Sequence, residues 1–222
     1  MHILVTGHLG YIGPIMIRTC KEAGHLVTGL DTGYFRDCIQ NGEEAVAPDK
    51  ETVRDIREVR TQDLESIDAI IHLAALSNDP LGQLDPELTF DINSAASIRL
   101  ATMAKEAGVS RSIFASSCSI YGAAKNEMAL DETAPVNPVS AYAVSKVRTE
   151  AVLSELAGHR FSPVFMRNAT AYGVSPRLRF DLVLNNLMAW AKTTGKLRSC
   201  RTAPRGGHLC TFRTSAGLPS PR

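Results

Sequence analysis

Short apolar runs and stretches of helical period alternate along most of this chain. His2 to Thr6 is an apolar run that ends in glycines, and from Tyr11 to Ala23 the residues Ile12, Ile15, Met16 and Thr19 recur at helical spacing, which predicts strand, turn and helix. Gly24 stops that helix, and His25 to Leu30 predicts a second strand ending at Asp31. Ala69 to Ala74, Ser112 to Ser116 and Pro163 to Met166 are further short apolar runs bounded by turn residues, and a third strand is expected shortly before Asp55. Pro86 to Ala107 and Ala141 to Ala157 have helical period and precede the last two runs. This alternation predicts an α/β fold, a doubly wound parallel sheet covered on both faces. Phe35 to Lys50 reads as loop, and from Ser199 onward Pro, Gly, Ser, Thr and Arg dominate without any strand or helix period.

Composition narrows the class. At 222 residues, 44% hydrophobic and 21% charged, the chain holds one sizeable domain with a core, which excludes global disorder. Its apolar runs are far shorter than the roughly 20 residues of a membrane span. Met1 leads straight into Ile3 to Val5 without the basic region and apolar core of an export signal, so a cytoplasmic location with no membrane partner is expected. Cys20, Cys38, Cys118, Cys200 and Cys210 form no ligand spacing, so neither a disulfide framework nor a metal site is expected. Charge is uneven: residues 1–181 carry all 23 acidic side chains against 17 basic ones, whereas residues 182–222 carry seven basic side chains and no acidic one. Such a tail is open to reading as a nucleic-acid arm, and a different explanation follows below.

Thr6-Gly7-His8-Leu9-Gly10-Tyr11-Ile12-Gly13 is a G-x-x-G-x-x-G loop between the first strand and the first helix. Glycines there let the backbone approach a pyrophosphate, and the helix N-terminus supplies amide donors and a favourable dipole. Asp31, ending the second strand, can accept both hydroxyls of an adenosine ribose and would repel a 2′-phosphate, which favours NAD over NADP. Its bland alternative is an aspartate capping a loop. Asp55 and Ile56 could hold the adenine amino group and ring face, or be an ordinary surface carboxylate and core side chain. Asn93 falls mid-helix, where asparagine is mildly unfavourable, so it faces either solvent or the site.

Tyr142 and Lys146 lie four residues apart on one helix face. A phenol with a pKa near 10 is a poor base at neutral pH unless positive charge stabilises the phenolate, and Lys146 supplies such charge. Ser116 to Gly122 falls at the C-terminal end of a predicted strand, where ligands bind in open α/β sheets.

These residues, with His72-Leu73-Ala74-Ala75, together resemble the extended short-chain dehydrogenase/reductase family, and within it the NAD-dependent epimerase/dehydratase group acting on nucleotide-diphosphate sugars. The resemblance spans roughly residues 1–198. It implies a Rossmann-like NAD-binding domain over 1–178, the start of a substrate-binding region over 179–198, and a carboxyl-terminal substrate domain that is largely missing. It implies that Gly7, Gly10, Tyr11, Ile12, Gly13, Asp31, Asp55, Ile56, Leu73, Ala74, Ala75, Asn93, Tyr142 and Lys146 contact NAD. Tyr142 is implied as the general base on a sugar hydroxyl, expected at C4. Ser117 is implied to share the hydrogen bond to the developing oxyanion, and Lys146 to orient the ribose and lower the tyrosine pKa. Ser117, Thr170 and Asn186 are implied on the substrate side, and a homodimer is implied as a common state of the family.

Two departures from the family pattern discriminate among its members. Sugar 4,6-dehydratases carry acidic residues directly after the catalytic Thr, where this chain has Cys118 and Ser119, so epimerisation ranks above dehydration or ketosugar reduction. Thr170 stands where the commoner pattern has Asn. From another class, a non-catalytic NAD-binding regulator would not need Ser117, Tyr142 and Lys146 together.

The tail invites a specific explanation. If the third bases of the codons for Cys200 to Ala216 are chosen suitably, the frame one base back reads S-D-G-T-P-W-R-P-L-V-H-V-P-D-I-S, which resembles the next segment of the family. Residues 199–222 are therefore expected to be an aberrant, disordered basic tail translated out of frame, and no nucleic-acid partner is expected.

Overall fold

A computed structural model describes residues 1–38, 45–77, 79–122, 130–197 and 209–211. The tail positions outside 209–211, and with them most of the expectation for 199–222, lie outside the described residues.

Six parallel strands form the main sheet: β1 (His2–Thr6), β2 (Leu26–Asp31), β3 (Lys50–Val53), β4 (Ala69–His72), β5 (Arg111–Ser117) and β6 (Ser162–Asn168). Their order is β3-β2-β1-β4-β5-β6, the doubly wound Rossmann arrangement. The order in which strands are added reverses between β1 and β4, so the loops leaving those two strands diverge and open a crevice at their C-terminal ends.

Helices α1 (Gly13–Glu22), α2 (Asp79–Leu84), α3 (Pro86–Phe90), α4 (Ala96–Glu106), α5 (Ala141–Leu156) and α6 (Val183–Thr194) complete the elements, with a π-helical turn over Asp91–Ala95. Period-2 alternation along β1 divides the core. Leu4 faces Leu30, Ile70, Phe114, Leu100, Ala104 and Leu153, where α4 and α5 pack, while Ile3 and Val5 face Ile17, Cys20, Val27 and Ile71 under α1. Each fully buried aliphatic side chain contributes roughly 1.5–3 kcal/mol, so the sheet is held from both faces. At the β6 edge the second face is uncovered: Val164 and Met166 are 42% and 49% exposed, and Phe165 between them packs inward.

Three differences from the sequence reading have clear causes. The single helix expected over 86–107 is two α-helices joined by the π turn, because the backbone carbonyl of Asn93 accepts from the hydroxyls of Ser97 and Thr149 and the widened turn carries Asn93 fully inward. Helix α6, where the sequence reading placed no helix, carries no buried residue. A three-residue strand, β8 (Leu209–Thr211), pairs in parallel with β7 (Thr170–Tyr172) in a tail expected to carry no strand. Three residues are too few to show a period, so the partner strand alone determines them.

Thr6 and His72 end neighbouring strands at the crevice, and their side chains bond at 2.6 Å, with the other imidazole nitrogen 2.7 Å from Ser97 Oγ. Burial, and secondarily the charge of Lys146, drive the His72 pKa down to about 3. The fold therefore holds His72 neutral, while the unfolded chain takes up a proton below about pH 6.5, so this stability is complete above that pH and drains away towards pH 3. Stability from urea unfolding is expected to fall by about 2–3 kcal/mol between pH 6.5 and 4.5, before most carboxylates titrate. His72→Gln should flatten the curve over that window; an unaltered slope would show that another group is responsible.

Candidate active site

The crevice is walled first by glycine backbone. Gly7 has φ +73° and its N–H donates to Leu30 O at 2.8 Å, and a Cβ there would lie 2.7 Å from the backbone nitrogen of Ala74, in the loop after β4. A Cβ on Gly13 would sit 2.3 Å from the carbonyl oxygen of His8. The turn is thus folded on itself more tightly than any other residue allows. Helix α1 begins beyond it with Pro14 in its first turn, no acidic residue there and no side-chain cap, leaving its first amides suited to an anion.

On one side of this turn, Asp31 is fixed by two backbone donors, Leu9 N–H to Oδ2 at 3.1 Å and Gly33 N–H to Oδ1 at 2.9 Å. Its carboxylate retains lone pairs for further donors. Leu73 N–H bonds Thr6 O, which sets the course of the loop through Ala74 and Ala75. Asn93 grips the next residue, Leu76: its Oδ1 accepts from Leu76 N–H at 2.7 Å and its Nδ2 donates to Leu76 O at 3.0 Å. Neither of its bland or functional sequence readings anticipated that grip. Asp55 caps a 3-10 turn and accepts from the Arg57 amide and guanidinium, which hold its carboxyl below the usual range despite partial burial; Ile56 is 4% exposed within the core.

On the other side stand the titratable groups. Ser140 caps α5 by accepting from Ala143 N–H, which starts the helix one residue before Tyr142. One turn on, Lys146 is 2% exposed; its Nζ donates to Ala115 O at 2.7 Å and lies 4.4 Å from the Phe114 ring centroid and 5.5 Å from that of Tyr142. Desolvation lowers its pKa to about 7, while Glu150, a further turn along, opposes that shift. Tyr142 is half-buried at the crevice. Ser117 ends β5, 9% exposed, donating to Ser119 Oγ at 3.0 Å and accepting from Ser119 N–H at 3.1 Å. Cys118 beside it is a thiol whose pKa burial raises.

Several contacts around the crevice had no local sequence signal. Glu150 accepts from the guanidinium of Arg167 at 2.8 Å and from the hydroxyl of Ser116, tying α5 to β5 and β6 next to Ser117. Tyr11 is almost fully buried: its hydroxyl donates to Gly173 O at 2.5 Å and accepts from Asn185 Nδ2 at 3.2 Å, and its carbonyl accepts from Ser175. The segment after β7 is thereby fastened to the glycine turn. Asn186 Nδ2 donates to Phe180 O, and Thr170 opens β7. The residues singled out from sequence thus come from the C-terminal ends of β1, β2, β4 and β5, from the turn after β3, from the π turn and from α5, with Thr170 on β7 and Asn186 on α6.

Comparison with known proteins bears on the family and the fold. The curated UDP-glucose 4-epimerase of Streptomyces lividans is 31% identical over 165 residues, 72% of this chain and 49% of that protein, and the one from Mycolicibacterium smegmatis is 33% identical over 162 residues, 69% of this chain and 50% of that protein. The chain spans about half the length of the curated relatives it matches. Among solved structures, an NAD dependent NDP-hexosamine 5,6-dehydratase, TunA, superposes with a TM-score of 0.77 at 27% identity, covering 89% of this chain and 64% of that one. The UDP-glucose 4-epimerase of Thermus thermophilus in complex with NAD gives 0.73 at 26% identity, covering 86% and 61%. Residues 3–196, nearly all of the described fold and every residue of the crevice, match the NAD dependent epimerase/dehydratase family, and the chain belongs to that family.

Proposed function

We propose that the whole protein to which this chain corresponds epimerises a nucleotide-diphosphate sugar, at C4, through a transient keto intermediate. The observation that carries the reading is a buried Lys146 one helical turn from Tyr142, with Ser117 ending the adjacent strand. The residues fit NAD: a glycine turn that a Cβ would fill, uncapped amides opening α1, and a carboxylate at Asp31 for the adenosine ribose. Bound NAD supplies the reversible oxidation of the sugar carbon. Tyr142 takes the proton from the sugar hydroxyl and later returns it, and Lys146 lowers the cost of the phenolate and holds the nicotinamide ribose. Ser117 donates to the oxygen on which charge develops. Leu73, Ala74 and Ala75 line the cofactor, and Asn93 shapes that lining through Leu76. Thr170 and Asn186 stand on the sugar-nucleotide side. The two carboxyls that dehydration calls for are Cys118 and Ser119 here, which supports epimerisation over elimination.

Among the described residues no helix is long and apolar enough to cross a membrane, and a cytoplasmic, homodimeric protein is the accompanying reading. Residues from about Ser199 are read out of frame in this proposal, on the family-like string that the frame one base back allows over Cys200 to Ala216. The deciding experiment assays UDP-glucose and its C4 epimer with this chain, and with the protein encoded when the frame one base back is restored after Ser199. Interconversion without external NADH is expected at least in the restored protein. Net consumption of NADH, or accumulation of a 6-deoxy-4-keto sugar, would replace the epimerase reading with reductase or dehydratase.

A further inference from the structure

His8, the second residue of the glycine turn, carries an imidazole where a small residue would suffice, and its ring is 2% exposed. The ring lies on Gly29 of β2, where a Cβ would come within 2.7 Å of its Cγ and Cδ2. It reaches across to β3, donating through Nε2 to Glu51 Oε1 at 2.9 Å, while Nδ1 is buried without a partner. The parallel register sets Gly29 beside Glu51 and Asp31 beside Val53, so Asp31 and Glu51 project from the same face of neighbouring strands, two positions apart. Glu51 in turn closes a two-pronged ion pair on Arg36, with NH2 to Oε1 at 2.8 Å and NH1 to Oε2 at 3.2 Å. Arg36 stands five residues beyond Asp31 and within its electrostatic reach: Glu51 first, then Asp31 and Asp37 through space, hold the guanidinium pKa above its ordinary value.

An arginine just past the second strand is the residue type that receives a cofactor 2′-phosphate, because its planar fork pairs with two phosphate oxygens at once. Here both terminal nitrogens of that fork are taken by Glu51. We infer that Glu51, held in place by His8, is a second specificity residue for the cofactor: it withholds Arg36 from a 2′-phosphate, while Asp31 repels that phosphate directly. This rests on the reading of the crevice as a dinucleotide site with Asp31 at the ribose. His8 acts as a positioning residue, since its side chain touches Glu51 and no part of the ribose side. Discrimination against NADP is therefore built twice, and removing the Asp31 charge alone leaves the arginine still engaged.

The 222-residue chain and its variants are titrated with NADH and NADPH by calorimetry at fixed ionic strength, with thermal melts to verify folding. Asp31→Asn combined with Glu51→Gln is expected to bind NADPH about tenfold more tightly than Asp31→Asn alone, the worth of one freed charge-assisted contact to phosphate. Adding Arg36→Ala should return the affinity to that of Asp31→Asn. Arg36→Ala by itself, on a side chain 47% exposed, should leave the NADPH affinity of the otherwise unchanged chain where it was. A loss in that single variant, which requires no other variant to fold, would show that Arg36 already serves the phosphate and would overturn the inference. A gain that is absent, or that persists without Arg36, would do the same. If the unchanged chain binds neither dinucleotide, the reading of the crevice itself fails, and the inference goes with it.

Discussion

Tyr142→Phe is expected to lower sugar turnover by about 10³-fold while leaving NAD affinity within a few-fold, because proton transfer by a positioned group is worth that order and the phenyl ring fills the same half-buried space. The hydroxyl is the only atom lost. In the proposed reaction, Lys146 is what lets a phenol act at this place. Its amine is stripped of water among Phe114, Ala115 and α5, its pKa falls to about 7, and the charge it carries at and below that pH lies one turn from the phenol. In the unliganded protein that charge is lost as the pH rises above 7, so stabilisation of the phenolate weakens on the alkaline side, and a second negative charge from a nucleotide diphosphate would help to retain it. Turnover in Tyr142→Phe within tenfold of the unchanged protein would remove Tyr142 as the base. Lost turnover together with lost NAD binding would mean that the variant had disturbed the cleft.

Gly13→Ala is expected to weaken NADH binding by at least about 100-fold, more than the loss of one phosphate hydrogen bond, because the added carbon has no place to go. Its neighbour is backbone: the His8 carbonyl oxygen at 2.3 Å and its carbon at 2.4 Å. Relief requires the turn to move away from α1, and the turn is held by Gly7 N–H to Leu30 O, by Gly10 N–H to Gly7 O at 3.0 Å and by Leu9 N–H to Asp31. Movement therefore displaces the helix amides and the Asp31 carboxylate together. Gly24→Ala is the matched control, since a Cβ at Gly24 meets nothing within 4 Å and only its φ of +77° opposes the change. It should cost about 1 kcal/mol of stability and leave cofactor affinity unaltered. Equal losses of affinity in both variants would show that general destabilisation, and not the shape of the turn, is being measured.

The two kinds of residue in this crevice differ in how far their partners lie along the chain. The strand–turn–helix of residues 2–22, the acidic end of β2, and the Tyr142–Lys146 pair were legible because each is a local pattern: an apolar period, three glycines at fixed spacing, two side chains one helical turn apart. The parallel order of the sheet followed from the alternation of strands and helices, since short connections and right-handed crossovers leave few other solutions. Asn93 was noticed as an oddity within a helix, but its hold on Leu76, 17 residues away, depends on a π turn that no propensity marks. Glu150 with Arg167, His8 with Glu51, and Tyr11 with Gly173, 162 residues distant, carried no signal at all. By itself the sequence determined the family, the sheet and the helix face that Tyr142 and Lys146 share, because hydrophobic period and backbone sterics act between near neighbours. Only the tertiary structure decided which charges are buried, which are tied to one another and which pKa values move, because desolvation and Coulomb energy depend on distances in space that strand register and helix packing establish.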